Sequence, residues 1–388
     1  MKARKTLRVA VPAGIGVVSL GAALFTPSLA NAQDPSLPII SRLELVQNML
    51  SAKQQPYSGT IVATSNLFGS VSSLVGSAIP NVTLPQGTAT INVWKGAKDQ
   101  LRAQILNASS ERDVYVNGTS AWLWDSSTMS AVHVKTNAAT SVSSTISGKL
   151  SAIKSKLSAA ALDPATLAKD IIAKVSPYVN IAVGQTNYIG GQAVYDLELV
   201  PLESSSLIRT INIYVDANNW NVLGVDVVST SSSTPVLSSE FSAVNFSAPS
   251  PSVFNFTPPP GAKVESKTLT PPLGSKAGTK MQGNQVGGAM AKKFISSSST
   301  PKVATFGSGF TSVVMTAPGS YQSLVTKAGP KYRSLFAQVL TSYQTPFGSG
   351  KVLSTPLFNV MVLPNGQMVA GAVTLNQLAI DATMGYKA

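Results

Sequence analysis

The chain has 388 residues, 44% hydrophobic and 12% charged, with 29 basic residues against 16 acidic, one histidine and no cysteine. That composition is globular rather than disordered or fibrous. The lack of cysteine removes disulfides, thiolate metal sites, thiol nucleophiles and lipid-modified cysteine anchors together.

The formal charge of +13 is unevenly spread. Residues 33–260 hold 13 basic and 14 acidic residues, 261–302 hold seven lysines and one acid, and 303–388 hold five basic and one acidic. A neutral body with a lysine-dotted tail argues against a nucleic-acid partner, since a duplex reader needs a dense basic face with arginines at base edges. A solvated segment that brushes anionic envelope polymers or lipid headgroups fits better.

Lys2, Arg4, Lys5 and Arg8 precede an uncharged apolar run from Val9 to Phe25, shorter than the roughly 20 residues that span a bilayer. Ala30-Asn31-Ala32 follows as a small-x-small cleavage site. The pattern predicts a signal peptide over residues 1–32, cut after Ala32, and a secreted or extracytoplasmic chain that begins at Gln33.

Ser41 and Glu44 make a capping box, and Leu43, Val46 and Leu50 with Leu45 and Met49 keep helical spacing, which predicts a first helix over residues 42–53. Strands follow at Tyr57 to Ser65, at Thr88 to Trp94 with Ile91 and Val93 on one face, and at Leu101 to Leu106. Asp113 to Val116, Asn117-Gly118 and Ser120 to Trp124 read as a hairpin on a type I′ turn, because Asn-Gly accepts positive φ. Ala131 to Lys135 is the next strand.

The period then changes, with a short helix near Lys149 to Leu157 and a clearer one from Pro164 to Val175. Asp163 caps the second, and Leu167, Ile171 and Val175 lie on one face. Strands return at Asn180 to Tyr188, Ala193 to Val200, Ile208 to Asp216, Val222 to Val228 and Leu237 to Phe246. Within them Leu197 and Leu199 oppose Asp196 and Glu198, and Ile211, Ile213 and Val215 oppose Asn212 and Tyr214, the alternation of antiparallel sheets with one buried face. Residues 261–302 read as a basic flexible linker. Residues 303–388 form a smaller unit with a helix near Tyr321 to Leu340 and a hairpin of Leu357 to Leu363 and Gln367 to Thr374.

His133 lies between Val132 and Val134 with no second histidine or cysteine to join it, so it reads as a surface or edge residue rather than a catalytic base. Gly307-Ser308-Gly309 and Gly348-Ser349-Gly350 lack the strand-turn-helix context of a hydrolase nucleophile. Glu111 with Asp113, and Asp196 with Glu198, share strand faces that ordinarily meet water. No metal site or cofactor is spelled out, and no enzymatic activity is expected. Trp94, Trp122 and Trp124 are the strongest functional candidates, with Trp122 and Trp124 on one strand face, where they either line a cavity or pack in the core.

The order of these elements, the hairpin Asn117 to Trp124, the strand pair Ile189-Gly190-Gly191-Gln192-Ala193-Val194-Tyr195-Asp196-Leu197 and the closing Phe254-Asn255-Phe256-Thr257-Pro258-Pro259-Pro260-Gly261 resemble the lipoprotein-carrier superfamily of LolA-like and RseB-like proteins, most closely its actinobacterial versions. The resemblance covers roughly residues 40–265. It implies an α+β fold, a curved antiparallel half-barrel over residues 33–260 with helices covering its concave face, plus a smaller C-terminal α+β extension. It also implies an apolar cavity for acyl chains and no catalytic residues. Candidates to line that cavity are Ile91, Val93, Trp94, Trp122, Trp124, Leu197, Leu199, Ile211 and Ile213. The insertion Asn66 to Gly87 is too apolar for a solvated loop, and Leu67, Phe68, Val71, Leu74, Val75 and Ile79 make it either a lid or a turn packed on the sheet. The expected function is a monomeric carrier or chaperone for lipid, a lipoprotein acyl chain or an acylated protein. The alternative is an RseB-like regulator that binds a membrane-bound anti-sigma factor through residues 303–388 and senses envelope stress.

Overall fold

The computed structural model describes residues 34–69, 87–96, 99–107, 110–136, 164–269 and 303–386. The leader, the helix expected near Lys149 to Leu157 and most of the expected linker lie outside the described residues. Ser41 Oγ accepts a hydrogen bond from the Glu44 backbone N–H at 3.2 Å and starts helix α1, Arg42–Ser51. Leu45 and Met49, one turn apart, are buried, whereas Leu43 and Leu50 are 64% and 47% exposed. Of the two apolar stripes in this helix, Leu45–Met49 is buried, and from the other only Val46 packs, partly, against the core.

Strands β1 (Tyr57–Ser65), β2 (Gly87–Lys95), β3 (Gln100–Asn107), β4 (Ser110–Asn117), β5 (Ser120–Asp125) and β6 (Ser130–Thr136) follow. Helix α2 (Pro164–Val175) then leads into β7 (Val179–Val183), β8 (Asn187–Ile189), β9 (Gln192–Pro201), β10 (Ile208–Asp216), β11 (Val222–Ser229), β12 (Pro235–Asn245) and β13 (Lys263–Leu269). They make one 13-stranded sheet in the order β13-β6-β5-β4-β3-β2-β1-β12-β11-β10-β9-β7, with β8 pairing β9. Every pairing is antiparallel except that of β13, which runs parallel to β6. The ends of the order do not pair with each other, so the sheet is an open half-barrel of the α+β class.

The register separates two faces. Leu197, Ile213, Val225, Ser239, Ala63 and Ala89 are consecutive cross-strand partners, and the parallel row Ile61, Ile91 and Ile105 continues the same face. On that face Leu45 and Met49 of α1 and Ala168, Ile172 and Val175 of α2 share one buried cluster with Leu197, Leu199, Ile211 and Ile213. Of the expected apolar face, Val175 is fully buried in this cluster and Ile171 is partly buried against it.

The β4–β5 hairpin differs from expectation in one residue. Asn117 pairs with Ser120, so the loop is Gly118-Thr119, and positive φ is confined to Gly118 at 61°. A type I′ turn needs positive φ at both loop residues, and this loop instead has glycine first.

The C-terminal residues form a second sheet. Its strands are β14 (Ala304–Phe306), β15 (Val313–Met315), β16 (Thr341–Thr345), β17 (Gly348–Ser354), β18 (Asn359–Val362) and β19 (Met368–Gly371), in the order β14-β15-β19-β18-β17-β16. Helix α3 (Ser320–Val339) precedes β16 and helix α4 (Leu375–Thr383) follows β19. One face carries Val313, Met361 and Val369 against Leu378 and Ala382 of α4. The other contributes Val314, Leu353, Val360 and Met368 to the cluster that contains Leu197 and Ile211. Backbone bonds stitch the sheets at one place, Leu207 N–H to Ala372 O at 2.8 Å and Thr374 N–H to Ser205 O at 2.9 Å. The two sheets thus share one core.

Candidate functional site

An apolar cavity of about 160 Å³ opens on the helix-covered face at one end of the larger sheet. Its walls are Tyr57 of β1, Leu101 of β3, Leu223 of β11, and Phe241, Val244 and Phe246 at the end of β12, with Ala165 of α2 above. Gln54, Gln55, Asn221 and Lys95 supply its polar groups, and Lys95 is the one charge among them.

Local sequence explains the wall. Phe241 and Val244 are three residues apart, and strict alternation places such residues on opposite faces. The register of β12 against β1 shifts between Thr60 and Ile61, leaving Ser242 unpaired, and this bulge turns both side chains the same way. Gly59 makes room for the result, because a Cβ there would stand 2.9 Å from the Phe241 ring. Tyr57 meets Phe241 and Phe246 edge-on, with centroids at 5.5 and 6.5 Å.

The residues expected to line a single cavity fall into three groups. Leu197, Leu199, Ile211 and Ile213 are at most 4% exposed beneath α1 and α2 and belong to the core. Ile91 and Val93 are buried in the cluster that also holds Phe241 and Leu101 and support the cavity from behind. Trp94, Trp122 and Trp124 stand on the opposite face of the sheet. Leu67 and Phe68 pack in the shared core, Phe68 edge-on to Phe358 at 6.0 Å, and Val71, Leu74, Val75 and Ile79 lie outside the described residues.

The tryptophans join a cross-strand row instead. Trp94, Arg102, Tyr115, Trp122 and His133 are successive partners on β2 to β6. The Arg102 guanidinium lies 4.7 Å from both the Trp94 and Tyr115 ring centres, and Trp122 stacks on His133 at 3.8 Å with 7° between planes. His133 is half-buried rather than a free edge residue, since β13 pairs beyond it and Ser120 Oγ lies 2.8 Å from its Nε2. The segment between β12 and β13 crosses this face: Asn117 Nδ2 donates to Asn255 Oδ1 at 3.0 Å, and Phe256 rests on Tyr115, Trp122 and Trp124 with centroids at 4.9, 5.4 and 5.8 Å. The row is thus occupied by the chain's own Phe-x-Phe-x-Pro-Pro strap. Replacing Phe256 by Ala is expected to cost about 2–3 kcal/mol through lost burial and three ring contacts, and to shift tryptophan emission to the red, with urea titration and fluorescence as the measurements.

The same face carries buried acids, against the expectation that they meet water. Asp113 and Asp196 are 2% and 7% exposed. Burial pushes Asp113 up to about 7, helped by a hydrogen bond with Glu111, although Arg102 at 3.6 Å opposes the rise. Burial likewise pushes Asp196 up to about 7, with Asn212 Nδ2 donating to its Oδ2 at 2.7 Å and resisting the rise. No group of three or more metal-ligating acids or histidines occurs among the described residues.

The alternation of the sequence located the strands but not the cavity, whose wall depends on the bulge in β12. The legible signal was the run Phe241-Ser242-Ala243-Val244-Asn245-Phe246 itself, where large apolar residues break the two-residue period.

No family model matches the chain, and no curated protein matches it. Among solved structures it is similar to a chain of the Pseudomonas aeruginosa MucA/MucB complex, at 12% identity over 88% of this chain and 96% of that chain, with a TM-score of 0.40. A separate structure of MucB is similar at 13% identity over 88% of this chain and 96% of that chain, with a TM-score of 0.36. A LolA superfamily protein from Nitrosomonas europaea is similar at 10% identity over 56% of this chain and 99% of that chain, with a TM-score of 0.21.

Proposed function

We propose that the protein is an extracytoplasmic binding protein that takes the apolar end of a lipid, a lipoprotein acyl chain or another amphiphile into the cavity between α2 and strands β1, β3, β11 and β12, as a carrier or chaperone. The cavity itself carries this reading. At about 160 Å³ it matches the roughly 150 Å³ apolar cavity that admits benzene and falls below the roughly 300–1,000 Å³ of a site enclosing a drug-sized ligand. It therefore receives the end of a chain and leaves the remainder outside, a geometry suited to reversible hand-over. Lys95 at the cavity selects an anionic head.

Ala165 faces the cavity from a helix, where leucine is well tolerated. Ala165→Leu is expected to weaken binding of a fluorescent fatty acid by about tenfold or more, about 1.4 kcal/mol, with an unchanged melting curve. Lys95→Gln is expected to weaken a fatty acid but not the matching fatty alcohol. Unaltered affinity in both variants sinks the reading.

The regulatory alternative draws on the second sheet, where Ile380 of helix α4 and Met384 at its C-cap are 56% and 63% exposed. It requires that the soluble segment of an anti-sigma factor bind Ala165→Leu as well as it binds the unaltered protein.

A further inference from the structure

Behind the cavity wall, on the opposite face of the sheet, Asp226 of β11 and Glu240 of β12 meet. Glu240 is the residue before Phe241, and Gly224, directly opposite Glu240, is the residue after Leu223. Both strands are irregular at these points: the register of β11 shifts beside Leu223 and that of β12 beside Ser242. Gly224 also pairs with Tyr214, and its missing side chain is the space the acid uses, since a Cβ there would stand 2.8 Å from Glu240 Cγ and 2.9 Å from Tyr214 Cδ2. Glu240 therefore lies along the sheet beside Asp226, whose Oδ2 accepts from Tyr214 OH at 3.2 Å while its Oδ1 is buried without a hydrogen-bond partner.

The groups facing this pair are Asp196 and Glu198 on β9, Tyr214 on β10 and the Ser238 hydroxyl on β12, and none of them is a cation. Asp226 is 4% exposed. Two neighbouring carboxylates in such a place do not both ionise cheaply, so they hold one proton between them. Burial raises Asp226 above the ordinary carboxylate range, and burial together with the neighbouring charge of Asp226 pushes Glu240 up to about 8.

We propose that the Asp226–Glu240 pair is a proton-operated latch on the cavity: a shared proton ties β11 to β12 behind Leu223 and Phe241, and its loss to solvent sets two charges against each other and loosens that wall. The inference rests on the binding function proposed above and adds a regulator to it. A bound chain is held in mildly acidic surroundings and released in alkaline ones.

The test uses N-phenyl-1-naphthylamine, an apolar fluorophore that stays uncharged between pH 6 and 9, and stopped-flow release from the full-length protein. Release from the unaltered protein is expected to quicken by about tenfold between pH 6 and pH 9. Glu240→Gln, whose amide still donates to Asp226 without a charge, is expected to release slowly at both. Asp226→Asn serves as the second variant should Glu240→Gln fold poorly. A pH-independent release rate, or the same rise in the variants, overturns the latch, as does recovery of slow release at pH 9 on adding calcium chloride, which would make the acids a cation site. If the probe binds at no pH, the binding function fails on its own, and hydrogen exchange judges the latch. Protection of β11 and β12 amides, relative to those of β2 to β5 at the same pH, is expected to fall between pH 6 and 9 in the unaltered protein and to hold in Glu240→Gln. Equal loss in both overturns it.

Discussion

Replacing Phe310 by Ala is expected to lower stability by about 3–5 kcal/mol and to leave a single melting transition. Phe310 is fully buried in the core that both sheets share. It sits in the 3-10 turn Gly309–Thr311, which presses against the Tyr178 ring just after α2, and Gly309 holds a φ of 55° that a larger residue adopts poorly. The Phe side chain thus bridges α2 of the first sheet to β15 of the second, and its loss opens a cavity that neither sheet can collapse alone. Scanning calorimetry checks both parts. Two separated endotherms would mean that residues 303–388 melt as an independent unit despite the shared cluster.

Stability is expected to be higher at pH 5.5 than at pH 9, the reverse of a protein held by exposed ion pairs. Asp113 and Asp196 are pushed up to about 7 when folded, whereas in the unfolded chain each ionises near the ordinary 3.9. Between those values the folded state binds more protons than the unfolded state, so stability falls as pH rises. The contribution is complete below about pH 4 and gone above about pH 8. Because burial leaves little water to screen it, the full loss at about 1.4 kcal/mol per pKa unit is on the order of 4 kcal/mol for each carboxyl, of which about 2 kcal/mol falls between pH 5.5 and pH 9. Urea titrations at the two pH values measure it. Asp113→Asn, which keeps an acceptor for Tyr115 OH at 3.1 Å, is expected to remove the Asp113 share and leave the slope that Asp196 and the Asp226–Glu240 pair contribute. A profile that rises with pH would show that both acids are ionised in the fold.

Most strands of the larger sheet were legible because one face is apolar along its whole width, which imposes a two-residue period from β1 to β12. By composition the whole of β13 reads as linker. Lys263 to Thr268 are exposed, so only pairing with β6, invisible in composition, makes them a strand. Strand β15 escapes the sequence for the opposite reason, since Val313-Val314-Met315 is apolar on both faces and carries no period, while β14, β16 and β17 escape it because they are short or largely polar and exposed. The site was less legible than the fold. The apolar partners Leu223 and Phe241 each neighbour a bulge, and bulges are set by register between strands rather than by the residues of one strand. Burial of Asp113 and Asp196 was equally hidden, since it depends on aromatic and amide neighbours from adjacent strands.

The parallel pairing of β13 with β6 also covers an edge of the sheet. Parallel partners are joined only by long connections, and here the connection leaves β12 at mid-sheet and passes over β2 to β5 before it reaches β6. Phe256 is seated on Tyr115, Trp122 and Trp124, so the strap's place depends on the register of the β4–β5 hairpin. Without β13, β6 would present a bare edge with Val132 and Val134 along it, the kind of template on which chains associate. The lysines and glutamate of β13, Lys263, Glu265 and Lys267, close that edge with charges that discourage a further strand from adding.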